Sequence, residues 1–478
     1  MERAVIDKAY FERALLFLCG KGGCGDIRFA SLNEKNDFLP LYCEKGEESF
    51  KVCFDLASGY SGKPLPCSAW ELKFDGDIEL AFDGERDFSG NGGEYKVALI
   101  CDELGANLFS SLKPTKGSFK LKCADILLKT IFKSAELLPK RHKTVLFTSQ
   151  SRNELSGNEK YVYDEIMRRE ELKSSLNIRF SFSESGGIGY YLKTAWLLGR
   201  SDTVILDDYH PIIYRFKYKK SVKIAQLWHA CGAFKTFGYS RLGKEGALRF
   251  DGNAHRCYTH VFVSGEGVRK YYAEAFGVPM EQVYATGVAR CDSFAAKKRQ
   301  KNERFTILFA PTFRGNGKES AYYPYEMIDT ERLAALCRKN NMQIIFKMHP
   351  FIKEKVRIED SQRDVLFDES DKREINDLLP EADLIITDYS SVVYEASLLD
   401  IPMLFYAFDL DEYTEKRDFY QPFCAFAPGK IVCTFDELIN ALESKSFDSE
   451  KVYCFKQENF SGDIGKASAK IVDILFDK

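Results

Sequence analysis

The sequence predicts an α/β protein with parallel sheets from residue 144 onward, preceded by a small antiparallel β-rich N-terminal domain. Two observations carry this. Residues 1–125 hold short runs in which apolar and polar residues alternate (IRFASL, FKVCFDL, WELKFD, DIELAF, YKVALI, SFKLKC), separated by Gly, Pro, Asp or Asn roughly every ten residues. From residue 144, short apolar runs alternate with amphipathic stretches of helical period, the pattern of parallel βα units.

In chain order, residues 124–143 (ADILLKTIFKSAELLPKRHK) have helical periodicity and a basic end. Strands are expected at 144–149, 177–182, 203–208, 222–228, 260–265, 306–311, 343–348, 383–388 and 402–407. A charged, helical-looking segment at 294–304 separates two strand sets. The expected division is a β-rich accessory domain (1–125), a connector helix (126–143), a Rossmann-like domain (144–293) and a second one (294–478).

Composition excludes some classes. With 45% hydrophobic residues and 38 Phe, the chain can bury several cores, and a net charge of −3 speaks against bulk nucleic-acid binding. No run approaches the ~20 apolar residues of a membrane span. The N-terminal stretch carries charges at positions 2, 3, 7, 8, 12 and 13, unlike a secretory signal, so a cytoplasmic location is expected. The 14 cysteines form no CxxC pair and read as reduced thiols; no zinc site is expected.

Ligands of open α/β sheets bind beyond the carboxyl ends of the strands. Those ends carry the chemistry here: Asp207, Asp208 and His210; His229; Thr312 and Arg314; Lys347 and His349; Asp388, Ser390 and Ser391. In LIITDYSSVVYEASLLD (384–400) a buried strand runs into two serines and an apolar-periodic helix. The serines suit either a plain N-cap or a phosphate site; Arg314 and His349 on neighbouring strand ends favour phosphate. His229, in QLWHACGAFKTFG (226–238), reads as a core histidine or as a proton acceptor with small residues beside it. Residues 211–244 contain eight Lys or Arg and no Asp or Glu, which is either a solvated face or an attractor of anionic polymer or membrane. GKGGCG (20–25) matches GxGxxG, but an alternating run follows it where a dinucleotide site needs a helix, so it reads as a hairpin turn.

These motifs, with ATGVARCD (285–292), ILFAPTFRGNG (307–317), FKMHPF (346–351), DLLPEADLIITDYSSVVYEA (377–396), FYAFDLDEYTEKRDFY (405–420) and APGKIV (427–432), resemble the CDP-glycerol glycerophosphotransferase family, the teichoic acid polymerases. The match covers roughly residues 144–460. Many glycerol-phosphate members read Trp-His-Gly-Thr-Pro where this chain reads Trp-His-Ala-Cys-Gly-Ala. That version, with SRNELSGN, DDYHPIIY and RDFYQPF, resembles the ribitol-phosphate polymerase branch.

The resemblance implies a GT-B fold, with the donor nucleotide mostly on the C-terminal domain. It also implies a CDP-polyol donor, an undecaprenyl-linked polymer acceptor, CMP release and peripheral attachment at the cytoplasmic face of an anionic membrane. His229 aligns with the proposed general base and His349 with a histidine at the donor diphosphate. Arg314, Thr387, Ser390, Ser391, Glu395 and Gly287 fall with the donor site, and Asp409 and Arg417 near its polyol end. No protein-bound metal is expected; Mg²⁺ would enter only with the diphosphate. Homo-oligomerisation stays open. The rival readings are the same reaction with CDP-glycerol, a GT-B glycosyltransferase using a nucleotide sugar, and a non-catalytic polymer-binding protein.

Overall fold

The computed structural model describes residues 4–22, 25–31, 33–34, 36–60, 62–74, 76–78, 84–87, 93–102, 105–114, 119–183, 186–241, 248, 252–315, 318–461 and 464–477. The N-terminal part holds two five-stranded sheets. One runs in the order Tyr42–Lys45, Ser49–Asp55, Leu15–Lys21, Ala4–Glu12, Gly76–Ile78, and only its last pair is parallel. The other runs Arg28–Ala30, Ala69–Lys73, Gly105–Pro114, Gly93–Asp102, Gly84–Asp87 and is antiparallel throughout. Period-2 patterning turns one face of each sheet inward. Leu16, Leu18 and Phe54 of the first sheet share one core with Phe29, Trp70 and Leu108 of the second.

Two readings of this region are corrected, and two strands appear that the patterning does not predict. SFKLKC is no strand; Phe119–Lys122 begin the helix Phe119–Leu137, because the amphipathic pattern behind them extends the helix forward. Ala4–Glu12 and Leu15–Lys21, hidden among N-terminal charges, are strands joined by a turn with Arg13 at φ 54°. GKGGCG makes no hairpin: it leaves one sheet at Lys21 and leads to Arg28–Ala30 in the other, with residues 23 and 24 outside the described set.

Two six-stranded parallel sheets follow. The first is ordered Leu176–Phe182, Lys143–Ser149, Thr203–Leu206, Lys223–Gln226, His260–Val263, Val283–Ala285. The second is ordered Leu366–Asp368, Met342–Phe346, Phe305–Phe309, Leu384–Thr387, Met403–Tyr406, Lys430–Val432. All nine expected strands of this region are present. The three not expected are three-residue edge strands, too short to show a period.

Central strands such as Thr203–Leu206 are apolar on both faces because helices cover both. One face of the first sheet packs on Gly157–Arg168, the other on Phe119–Leu137 and Ile188–Arg200. Those last two helices close tightly at Gly199, where a Cβ would overlap the Phe132 carbonyl. The final helix, Ala467–Phe476, leaves the second sheet and packs Ile471, Val472 and Leu475 against Val145 and Phe147 of the first. The segment 294–304 forms no helix beyond a 3-10 turn over Ala289–Ala295; its Lys297 and Arg299 pair with Asp377 and Asp383.

Strand order reverses between Lys143–Ser149 and Thr203–Leu206 in the first sheet, and between Phe305–Phe309 and Leu384–Thr387 in the second. A crevice belongs at each such point. The sheets meet along a seam in which Lys235 bridges Phe419, Thr236 N donates to Asp418 O (3.0 Å) and Tyr420 N donates to Phe234 O (3.2 Å). Gly232 presses its backbone onto the Tyr394 ring, and any Cβ there would overlap it.

Candidate active site

His229 lies just past the strand Lys223–Gln226 at the first seam wall. Gln226 fixes the turn: its Oε1 accepts from Trp228 N (2.8 Å), and its Nε2 donates to the Asp208 carbonyl (3.0 Å). Trp228 adopts φ 51°, and its carbonyl accepts from Asn158 Nδ2 at 2.6 Å. This bend throws His229 outward, 51% exposed, with Nδ1 3.4 Å from Asp208 Oδ1. Burial works against the Asp208 charge, but the hydrogen bond and charge of His229 hold its carboxyl below the usual range. With Nδ1 turned to Asp208, Nε2 is the ring nitrogen left to meet a ligand.

At the reversal point of the second sheet stands Arg314. Its Nε and Nη2 donate to Asp409 (2.6 and 2.9 Å), and its Nη1 to Asp388 Oδ2 and the Thr312 carbonyl (both 2.8 Å). It is 7% exposed, and its guanidinium lies 5.2 Å from the ring centres of Tyr389 and Tyr413. Tyr389 OH adds a bond to Asp409 Oδ1 (3.0 Å). Thr387 is buried and donates to the Ala310 carbonyl (2.7 Å). Arg314, Thr387 and Asp409, expected on the donor, thus have their polar atoms engaged inside the protein.

His349 follows the strand Met342–Phe346, with its ring 4.7 Å from Phe313 and 4.8 Å from Phe351. Its Nδ1 accepts from Phe351 N (3.2 Å). Burial, with the charges of Lys235 and Lys347, pushes it down to about 4, so it is neutral at pH 7. Ser390 Oγ accepts from Val392 N (3.4 Å), while Ser391 is exposed at the start of the short helix Val392–Leu398.

Between these walls lies a cavity of about 760 Å³. His229, Ser391 and Arg417 line it together with Lys235, Thr236, Arg241 and His255. Among the described residues its lining carries three Lys or Arg side chains and no carboxylate, a composition that favours an anion.

His349, Ser390, Arg314, Thr387 and Asp409 are not among the cavity's lining residues, and neither are Glu395 and Gly287. Glu395 is buried and ion-paired to Arg290, whose guanidinium also donates to the His229 carbonyl. Gly287, at φ 90°, packs against Ala467 and lets the terminal helix approach. The fold also gathers Cys231, Cys291 and Glu395 within 4.8 Å, a cluster the cysteine spacing did not announce. Burial pushes the Cys231 thiol well up, and Glu395 already has Arg290, so the cluster reads as packing. The sequence shows Lys235 only as one cation of a basic run and Asp208 only as a strand-end carboxylate. No local signal shows that Lys235 faces the opposite sheet.

The family model CDP-Glycerol:Poly(glycerophosphate) glycerophosphotransferase matches residues 130–477. Teichoic acid ribitol-phosphate polymerase TarK of Staphylococcus aureus is 45% identical over 76% of this chain and 73% of its own length. TarL of the same organism is 42% identical over 76% of this chain and 67% of its own length. The teichoic acid poly(ribitol-phosphate) polymerase of Bacillus spizizenii is 40% identical, over 80% of this chain and 64% of its own length. Among solved structures, the wall teichoic acid polymerase TagF superposes with a TM-score of 0.56 at 18% identity, covering 74% of this chain and 94% of that one. The architecture of parallel sheets around a seam is shared with it. By the extent of these matches, the chain belongs to the CDP-glycerol:poly(glycerophosphate) glycerophosphotransferase family.

Proposed function

We propose that the protein is a teichoic acid polymerase that transfers ribitol phosphate from CDP-ribitol to a lipid-linked acceptor. The observation that carries this is the pairing of an exposed, carboxylate-anchored His229 with a cation-lined cavity between two parallel sheets. The names of the TarK and TarL relatives support ribitol as the polyol.

In the reaction, a terminal hydroxyl of the acceptor attacks the phosphorus that bears the polyol. The bond from that phosphorus to the bridging oxygen breaks, and CMP leaves with the bridging oxygen. Nε2 of His229 takes the hydroxyl proton, and Asp208 steadies the imidazolium. Neutral His349 donates a hydrogen bond to a donor phosphate, with Ser391 and Arg417 beside it. Arg314, Asp388 and Asp409 form the rigid floor of the donor side, since phosphoryl transfer is promoted mainly by positioning and fixed charge. The proposed frame is a GT-B pair of Rossmann-like domains, 144–293 and 294–478, joined by a connector to the β-rich 1–125 domain. CMP release measured with CDP-ribitol and CDP-glycerol side by side tests the polyol. Faster turnover of CDP-glycerol would overturn it, and release of a nucleoside diphosphate from a nucleotide sugar would overturn the reaction class.

Attachment to the membrane is proposed through the helices Phe119–Leu137 and Ile188–Arg200. No helix among the described residues is long and apolar enough to cross a bilayer. Yet Leu137 (82%) is exposed beside Lys140 and Arg141 in the chain, and Ile126 (64%) and Ile188 (79%) are exposed further along the two helices. The basic run 211–244 does not form one face: Lys223 binds the Leu475 carbonyl (2.6 Å), Arg215 pairs with Asp125 and Lys235 lies in the seam, while residues 242–247 fall outside the described set. Sedimentation with anionic vesicles should be salt-sensitive and weakened by Leu137→Glu with Ile188→Glu. Unchanged sedimentation would remove this surface from the proposal.

A further inference from the structure

The cations around the cleft differ in what already holds them. The Nε, Nη1 and Nη2 of Arg314 are all engaged by Asp409, Asp388 and a carbonyl. Turning it to a phosphate would strand the buried Asp388 and the half-buried Asp409. Lys235 and Arg417 both line the cavity, and among the described residues neither side chain has a hydrogen-bond or ion-pair partner. Lys235 stands at the seam itself, bridged to Phe419, its Nζ 5.3 Å from the centre of the Tyr413 ring. It shares the cavity with His229 and is close enough to His349 to depress that ring's proton affinity. A partly buried ammonium without an anion is costly, and such a group in a cleft marks where an anion arrives.

We propose that Lys235 receives the diphosphate of the nucleotide donor, spanning the His229 and His349 walls of the cleft, while Arg314 is a positioning residue that never touches the ligand. The inference rests on the reading that this cleft takes a CDP-linked donor.

The groups facing Lys235 are Asp388 and Arg314 from the reversal point, Tyr413 and Arg417 from the helix Leu410–Lys416 and the turn after it, and His349. Asp388 is held by Arg314. Burial pushes the ammonium down to about 7; Asp388 opposes this, and Arg417 and Arg314 add to it. An arriving diphosphate supplies the missing counter-charge and raises that value again. Above pH 7, nucleotide binding therefore takes up a proton.

The test is titration calorimetry of CDP into the full chain at pH 8, in two buffers of different ionisation enthalpy. Wild type should bind with uptake of up to about one proton. Lys235→Met should bind roughly ten- to hundredfold more weakly, lose the uptake and melt no lower than wild type, because it removes an unpaired charge. Lys235→Arg, charged at every pH, should keep affinity within a few-fold and also lose the uptake, and it decides the matter should the methionine variant not fold. If wild type binds CDP and Lys235→Met binds it equally well, the inference falls alone. If folded wild type binds no CDP, the nucleotide-donor reading falls and takes the inference with it.

Discussion

The Nδ1 of His229 stands 3.4 Å from Oδ1 of Asp208, and the two residues come from adjacent strands of the first parallel sheet. That contact decides which imidazole nitrogen faces the cavity. Asp208→Asn keeps the shape and removes the charge that steadies an imidazolium. CMP release under single turnover should fall about 10- to 100-fold while CDP affinity holds. A loss of CDP affinity instead would make Asp208 a ligand.

His229→Ala removes the proton acceptor itself. Turnover should fall by about 10²–10⁴-fold, with CDP still bound. Turnover at a tenth of wild type or better would take the base role away from His229.

Arg314→Met should act on stability first. It leaves the buried Asp388 and the half-buried Asp409 without their cation, at a cost of about 3–5 kcal/mol read from urea unfolding. A variant that keeps its unfolding midpoint and loses CDP would return Arg314 to the ligand role.

Acid should destabilise the fold before it protonates carboxylates generally. Burial pushes His255 down to about 3 and His210 to about 4, and His260 and His349 also fall to about 4. Between pH 6.5 and 4 the unfolded chain takes up protons that the fold refuses, so stability drops as pH drops. Asp55, Asp207 and Glu159, all raised by burial, oppose this slope, but the four lowered histidines outnumber them. The urea midpoint should be lower at pH 5 than at pH 7, and His255→Gln should flatten the difference. A midpoint independent of pH in that window would overturn the assignment.

How much the sequence revealed depended on whether a feature was local. Apolar runs bounded by helical segments located nine parallel strands, because burial on both faces leaves a contiguous apolar signature. Three-residue edge strands left none. Ala4–Glu12 stayed hidden because a half-exposed strand carrying Asp7, Lys8 and Glu12 breaks the apolar alternation. Among the site residues, His229 and Ser391, read from strand ends, and Arg417, read from the family motif, line one cavity. The same rule says nothing about what a side chain binds. Arg314 and Glu395 were expected at the ligand, and both are consumed by buried ion pairs.

The sequence by itself determined the α/β class, the strand ends that carry polar chemistry and, through its motifs, the family. Those properties reside in spacing and in residue type. Only the tertiary structure decided which cations are already neutralised and which face open space. That depends on partners distant along the chain: Arg314 meets Asp409 across 95 residues, and Lys235 meets Phe419 across the seam between two sheets. Charge compensation is a property of three-dimensional proximity, and no window of sequence contains it.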